Sequence, residues 1–152
     1  ALEAAEATFW QAESLLRQIF DCCQSDPDSV QIMRRFPVER IRNLRRENYQ
    51  RLLSVFPKSP LCVPVFPLLD EATVPSHFTV LAQRRNDLQS FLKEQGIHTT
   101  AYWDKSALAD TSRCPQAQYI YDHVLSLPCD QRYTPADMDR IAGAVAQFCQ
   151  QQ

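Results

Sequence analysis

The stretch NDLQSFLKEQGIHTTAYW, residues 86–103, decides the fold class because a helical pattern runs directly into a strand pattern. Asn86 with Gln89 three positions later resembles a capping box, and Gly96 can take the left-handed conformation that closes a helix. The inward face of this helix is formed by Leu88, Phe91 and Leu92. The β-branched and aromatic residues 97–103 that follow predict a strand. A helix joined to a strand in this way indicates an α/β packing unit.

The flanking segments extend this pattern. Apolar, proline-interrupted runs predict one short strand near Leu61–Phe66 and another near His77–Leu81. Farther on, a short helix opens at Pro115 and a brief strand covers Leu125–Pro128. A terminal helix then runs from the cap Thr134 to the end of the chain. Its predicted buried stripe is Met138, Ile141, Val145 and Phe148.

The first third of the chain is helical by composition and periodicity. Helices are predicted over residues 1–23, 28–34 and 38–55, with Ser25 or Asp26 capping the second. The apolar stripe of the first helix consists of Phe9, Leu16, Ile19, Phe20 and Cys23. We therefore predict an α+β fold: a small, mostly antiparallel sheet of three or four short strands with helices packed on one face, preceded by N-terminal helices. The composition changes near residue 56. This divides the chain into a helical segment, 1–56, and an α+β part, 57–152, which together form one structural unit.

Composition excludes several classes of function. The 152-residue chain has a net charge of −2, so it offers no broad basic field to nucleic acid. No window approaches the ~20 apolar residues of a membrane span. Two glycines cannot build a P-loop or a G-x-G-x-x-G fingerprint. The six cysteines form no C-x-x-C pair, which predicts buried, reduced thiols, no metal site and a cytoplasmic location.

Seven arginines cluster between residues 34 and 51. They are Arg34, Arg35, Arg40, Arg42, Arg45, Arg46 and Arg51. Their helical spacing, with Glu39 and Glu47 interspersed, favours a solvated face over a phosphate-binding patch. The three histidines, His77, His98 and His123, are scattered, and their spacing favours surface or structural roles.

The loop beginning YWDKSA is the best candidate for a functional surface, because loops after strands present functional groups on a rigid scaffold. Tyr102 and Trp103 offer stacking faces, Asp104 a hydrogen-bond acceptor and Lys105 an amine. Packing of both aromatic side chains in the core, and a solvated Lys105, remain alternatives. No residue of the chain is assigned a catalytic role.

The order of these elements resembles the C-terminal small domain of DegT-type sugar aminotransferases, which are pyridoxal-phosphate enzymes of fold type I. An arginine-led helix ends in Gly96-Ile97, and the aromatic strand Ala101–Trp103 follows. The proline-led helix at Pro115, the LSLP strand and the threonine-capped terminal helix come next in the same order. Upstream, RRENYQRLLSVF resembles the long helix of the family. The resemblance covers the chain from about residue 40 to its end.

The resemblance implies a divided enzyme, in which a large N-terminal domain binds pyridoxal phosphate and carries its lysine. On that basis we expect this chain to be an excised C-terminal domain, with the cofactor domain of the parent protein upstream of Ala1. The chain would then hold no cofactor of its own and be inactive alone. It would cover the cofactor domain and line the substrate cleft through Tyr102, Trp103, Asp104 and Lys105. Analogy to fold type I favours a homodimer. The alternative is a self-standing α+β interaction module that dimerises through its N-terminal helices and is not an enzyme.

Overall fold

A computed structural model of the chain describes residues 2–20, 26–102, 110–111 and 113–151. The fold divides into two compact units, Ala1–Pro37 and Val38–Gln152. The division falls after Pro37, whereas the change in composition suggested residue 56. The helix between these two positions belongs to the second unit because it packs against the terminal helix and the sheet.

The first unit contains helix α1, Leu2–Ile19, and helix α2, Pro27–Arg35. Asp26 caps α2 as predicted, since its carboxylate accepts hydrogen bonds from the backbone N–H groups of Asp28 and Ser29. The predicted stripe of α1 is exposed at its described positions, which are Phe9, Leu16, Ile19 and Phe20. Cys23 lies outside the described residues.

The second unit carries the sheet. Its elements in chain order are α3, Val38–Val55; β1, Cys62–Pro64; β2, His77–Ala82; α4, Arg85–Glu94; α5, Pro115–His123; β3, Val124–Pro128; and α6, Pro135–Gln150. The three strands pair antiparallel in the order β1-β2-β3. Val63 lies opposite Leu81 in the first ladder, and Thr79 lies opposite Ser126 in the second.

The two faces of the sheet differ in burial. Along β2, Phe78, Val80 and Ala82 are buried, and the alternate side chains are half-buried. Helix α6 contacts both α3 and α4, and these helices cover the buried face, where Leu125 and Leu127 of β3 also lie. The other face carries the alternate residues and is approached by α5. The predicted α+β class with a small antiparallel sheet is therefore confirmed, and one face of the sheet carries most of the helices.

The core shows why these helices form where they do. All four predicted residues of α6 are buried: Met138, Ile141, Val145 and Phe148. Thr134 caps α6 in a complete capping box with Asp137, and Pro135 occupies the first turn. On the inward face of α4, Leu88 and Leu92 are fully buried and Phe91 packs against the core.

Two local predictions are wrong. Asn86 does not cap α4: the cap position is Arg84, without a side-chain hydrogen bond, and Asn86 lies inside the helix. The described part of residues 97–103 forms no continuous strand. Thr100 alone makes a bridge, exchanging backbone hydrogen bonds of 3.1 and 2.9 Å with Ser126. Gly96 closes α4 as predicted, with φ of 70°. No helix among the described residues is long and apolar enough to cross a membrane.

Candidate functional site

A groove of about 620 Å³ lies on the less covered face of the sheet. We call it the sheet groove. Strand residues and their neighbours form its floor: Ser76, His77, Thr79, Val124 and Ser126. Helix α5 contributes Ala117, Ile120 and Tyr121 to one wall, and Tyr102 closes another. The period-2 alternation of β2 and β3 brings the floor residues to one face, because Thr79 and Ser126 are register partners.

His77 and Tyr102 form the polar pair of the sheet groove. The hydroxyl of Tyr102 lies 2.7 Å from Nε2 of His77, and the ring centroids are 4.8 Å apart. Burial lowers the pKa of His77 below its ordinary value; Arg45 acts in the same direction and Asp130 opposes it. The imidazole is therefore neutral at neutral pH. A neutral imidazole beside a phenol offers a donor and an acceptor next to two aromatic faces.

A second groove of about 400 Å³ adjoins the first and shares Ser76, His77 and Thr79 with it. Its outer wall is the loop between β1 and β2. This loop exposes three large apolar side chains, Phe66, Leu68 and Val74.

Three arginines of α3 hold this loop in place. Arg46 donates to the carbonyl oxygens of Asp70 and Thr73, both at 2.6 Å. Arg42 donates to the carbonyl of Glu71 at 3.0 Å. Arg42 also pairs with Glu39 at 3.8 Å, in keeping with the predicted solvated face that Glu39 interrupts. In addition, Arg42 and Arg46 cap loop carbonyls that no strand satisfies, a role that the sequence did not predict.

Arg45 also donates hydrogen bonds from α3, and it links the end of the β1–β2 loop to the turn after β3. Its Nε donates to Oε1 of Gln131 at 2.6 Å, and Nη1 donates to the carbonyl of Pro75 at 3.4 Å. Tyr49, also on α3, donates its hydroxyl to the carbonyl of Phe66 at 2.7 Å. The wall of the second groove is thus fixed from α3, and with it the start of β2 at His77.

The sequence predicted this site only in part. Tyr102 is in the sheet groove and 43% exposed, so it is not packed in the core. Trp103, Asp104 and Lys105 lie outside the described residues. His77 was expected to be a surface or structural residue. The signal that could have placed it is the alternation of HFTVLA, which puts His77 and Thr79 on the face opposite Phe78 and Val80.

The described lining of the sheet groove does not fit a pyridoxal-phosphate site. The residues that line the sheet groove include no lysine or arginine. Lys58 and Lys93 are exposed on the surface, and Lys105 is not described. Among the described side chains, no cluster of three or more His, Cys, Asp or Glu could hold a metal ion.

The comparison with protein families identifies the fold. The model of the DegT/DnrJ/EryC1/StrS aminotransferase family matches residues 31–146. The chain belongs to this aminotransferase family. The match extends from α2 into α6 and so includes all the strands and both grooves.

Solved aminotransferases share the fold at low sequence identity. DesV of S. venezuelae is 22% identical with a TM-score of 0.69, and the alignment covers 79% of this chain and 35% of DesV. An aminotransferase from Brucella abortus is 19% identical with a TM-score of 0.60, covering 80% and 33% of the two chains. PseC of Helicobacter pylori, involved in the biosynthesis of pseudoaminic acid, is 19% identical with a TM-score of 0.63, covering 72% and 33%.

The chain therefore spans about a third of the length of these aminotransferases. No curated protein that was compared with the chain matches it.

Proposed function

We propose that this chain is the C-terminal small domain of a sugar aminotransferase that uses pyridoxal phosphate. It covers a cofactor-binding domain and lines the substrate cleft with the sheet groove, and it is not catalytic alone. The observation that carries the proposal is the unequal burial of the sheet: helices seal one face, while the other holds an open groove with a polar pair at its edge.

The exposed apolar surface supports a partner on this face. Ile120 of α5 is 51% exposed, and Leu68 in the adjoining loop is 86% exposed. Large apolar side chains grouped beside an open groove are typical of an interaction surface. Because the chain spans about a third of the related aminotransferases, the remaining two thirds of such a protein would supply the covering layer.

Within this proposal, Tyr102 and His77 are substrate-positioning groups. Their donor and acceptor atoms suit the hydroxyl groups of a sugar, and the rings offer stacking faces. Trp103, Asp104 and Lys105 continue from Tyr102 and are proposed to line the same cleft.

The covering domain would supply the chemistry. Bound pyridoxal phosphate acts as an electron sink for carbanion formation. The lining of the sheet groove includes no lysine or arginine for that cofactor, so we assign its lysine and phosphate ligands to the covering domain. Family membership does not favour the alternative of a self-standing interaction module. A homodimer and a cytoplasmic location belong to the same proposal; free, buried thiols such as Cys62 and Cys129 are typical of a reducing compartment.

The first experiment tests whether the chain acts alone. Pyridoxal phosphate is titrated into the purified 152-residue chain and, separately, into the product of the longest reading frame that contains it. We expect a shifted cofactor absorbance, stable to gel filtration, only in the longer product. Cofactor binding and transamination by the 152-residue chain alone would overturn the proposal.

The second experiment tests the sheet groove in the longer product, with a nucleotide-linked keto sugar as amino acceptor. Tyr102→Phe removes one hydroxyl that is proposed to contact the substrate, so kcat/KM should fall about tenfold, the equivalent of one good hydrogen bond. The matched control is Tyr119→Phe, because Tyr119 is 41% exposed and does not line the groove. Equal effects of the two substitutions would rule out the groove as part of the cleft.

A further inference from the structure

Helix α1 carries an apolar stripe that has no role in the sheet groove or in the proposed function. None of the residues 7–20 is buried. The large apolar side chains of the stripe are between 37% and 70% exposed: Phe9, Leu15, Leu16, Ile19 and Phe20. Because a helix of this length without tertiary packing is marginal in water, the stripe of α1 requires a partner.

The spacing of the stripe is that of a coiled-coil seam. Its residues follow one another at intervals of three and four positions, which places them at positions a and d of a heptad repeat. The a positions are Leu2, Phe9 and Leu16, and the d positions are Ala5, Ala12 and Ile19. All six are apolar, and the polar residues Ser14 and Gln18 fall at the outer positions f and c. This pattern indicates that the partner is another helix.

The residues that flank the seam indicate a second copy of α1 in parallel orientation. In a parallel pair, position g of one helix faces position e of the next heptad in the other. Leu15 then meets Phe20 of the second copy, which covers the two apolar residues that widen the stripe. Thr8 meets Glu13 of the second copy, so no like charges face each other.

An antiparallel pair of these helices is disfavoured by charge. It places position e opposite position e, which brings Glu13 against Glu6 or Glu13 of the other copy. Like charges across a helix pair disfavour that arrangement. Within its own helix, Glu13 is paired with Arg17 at 3.8 Å, so it needs no cation from the second copy.

We propose that two copies of this chain associate through α1, which forms a parallel, in-register coiled coil. Phe9, Leu16 and Ile19 pack between the helices, and Ala12 lets the two backbones approach closely. The family match begins at residue 31, so α1 lies outside the part of the chain that the aminotransferases share. The second copy supplies the partner helix itself, and this inference therefore does not depend on the proposed function.

The first test is sedimentation equilibrium of the 152-residue chain over a range of concentrations. We expect a reversible dimer with twice the 17.5 kDa mass of the chain. Leu16→Glu removes an apolar residue from the seam of both copies, so it should weaken dimerisation at least about tenfold. Gln18→Glu is the matched control because it adds the same charge to an exposed position on the outer side of the same helix. It should leave the dimer unchanged.

The second test keeps the helix and reports its orientation. Ala12→Cys places a thiol in the seam, where position d of one helix faces position d of the other only in a parallel, in-register pair. Ser14→Cys is the matched control, since Ser14 is exposed at the outer position f. After mild oxidation by air, peptide mapping should find a disulfide between the introduced thiols of Ala12→Cys and none between those of Ser14→Cys.

Three results would overturn the proposal. They are a monomer at all concentrations, equal dimerisation of Leu16→Glu and Gln18→Glu, and equal cross-linking from positions 12 and 14. Cofactor binding by the longer product is measured separately, so failure of the coiled coil and failure of the proposed function are distinguishable.

Discussion

Asn48 is the buried polar side chain on which the packing of α3 depends. It is 2% exposed, and its amide donates to the carbonyl of Asp130 at 2.9 Å and to that of Tyr133 at 3.0 Å. These carbonyls lie in the turn between β3 and α6. Replacement by alanine removes both hydrogen bonds. With about 1 kcal/mol for each, the loss of these two contacts should lower the free energy of unfolding by about 2 kcal/mol, before the change in helix propensity is counted.

The matched control is Asn43→Ala, because Asn43 is exposed on the same helix. Both substitutions gain the same helix propensity, roughly 0.6 kcal/mol, so their difference isolates the buried contacts. In urea unfolding followed by circular dichroism, the midpoint of Asn48→Ala should lie about 1 M below that of Asn43→Ala at unchanged slope. Two midpoints within about 0.2 M of each other would refute the reasoning, since even one lost hydrogen bond should exceed that difference.

Three further outcomes follow from single contacts. Gly96→Ala should lower the free energy of unfolding, measured in urea, by about 1 kcal/mol. The whole cost comes from the backbone, because φ is +70° and nothing lies within 4 Å of the added methyl group. An unchanged free energy of unfolding would contradict the left-handed cap. Hydrogen bonds from Arg132 lower the pKa of Asp130 below 3.8. The folded pKa is then below the unfolded value, so this contribution is complete above pH 3.8 and is lost as the pH falls toward the folded pKa. In unfolding measured as a function of pH, the stability advantage over Asp130→Asn should shrink on acidification, and a constant difference would argue against the pair. Burial raises the pKa of the Cys62 thiol to about 12, whereas Cys114 is exposed. Peptide mapping after brief iodoacetamide treatment should therefore find the label on Cys114 before Cys62. The reverse order would show that Cys62 is accessible.

Local chemistry explains the elements that the sequence predicted well. The capping box at Thr134, the stripe from Met138 to Phe148 and the left-handed Gly96 each depend on residues within a few positions. Asn86 shows the limit of this reasoning. It carries a capping signal, yet α4 already includes it, because burying Leu88 and Leu92 sets the helix and a weak local preference at its start yields to that packing.

The sequence by itself determined the order of the helices and of strands β1, β2 and β3, the alternation that gives β2 a buried face, and the absence of glycine-rich nucleotide loops. Only the tertiary structure decided the site. His77 and Tyr102 are 25 positions apart and meet because β2 pairs with β3 and Thr100 bridges Ser126. The contacts of the α3 arginines also depend on the tertiary structure, since Arg45 donates to Gln131, which lies 86 positions away in the sequence. Periodicity reports which face a residue occupies, but the neighbour that it meets there depends on strand pairing and helix packing between distant segments.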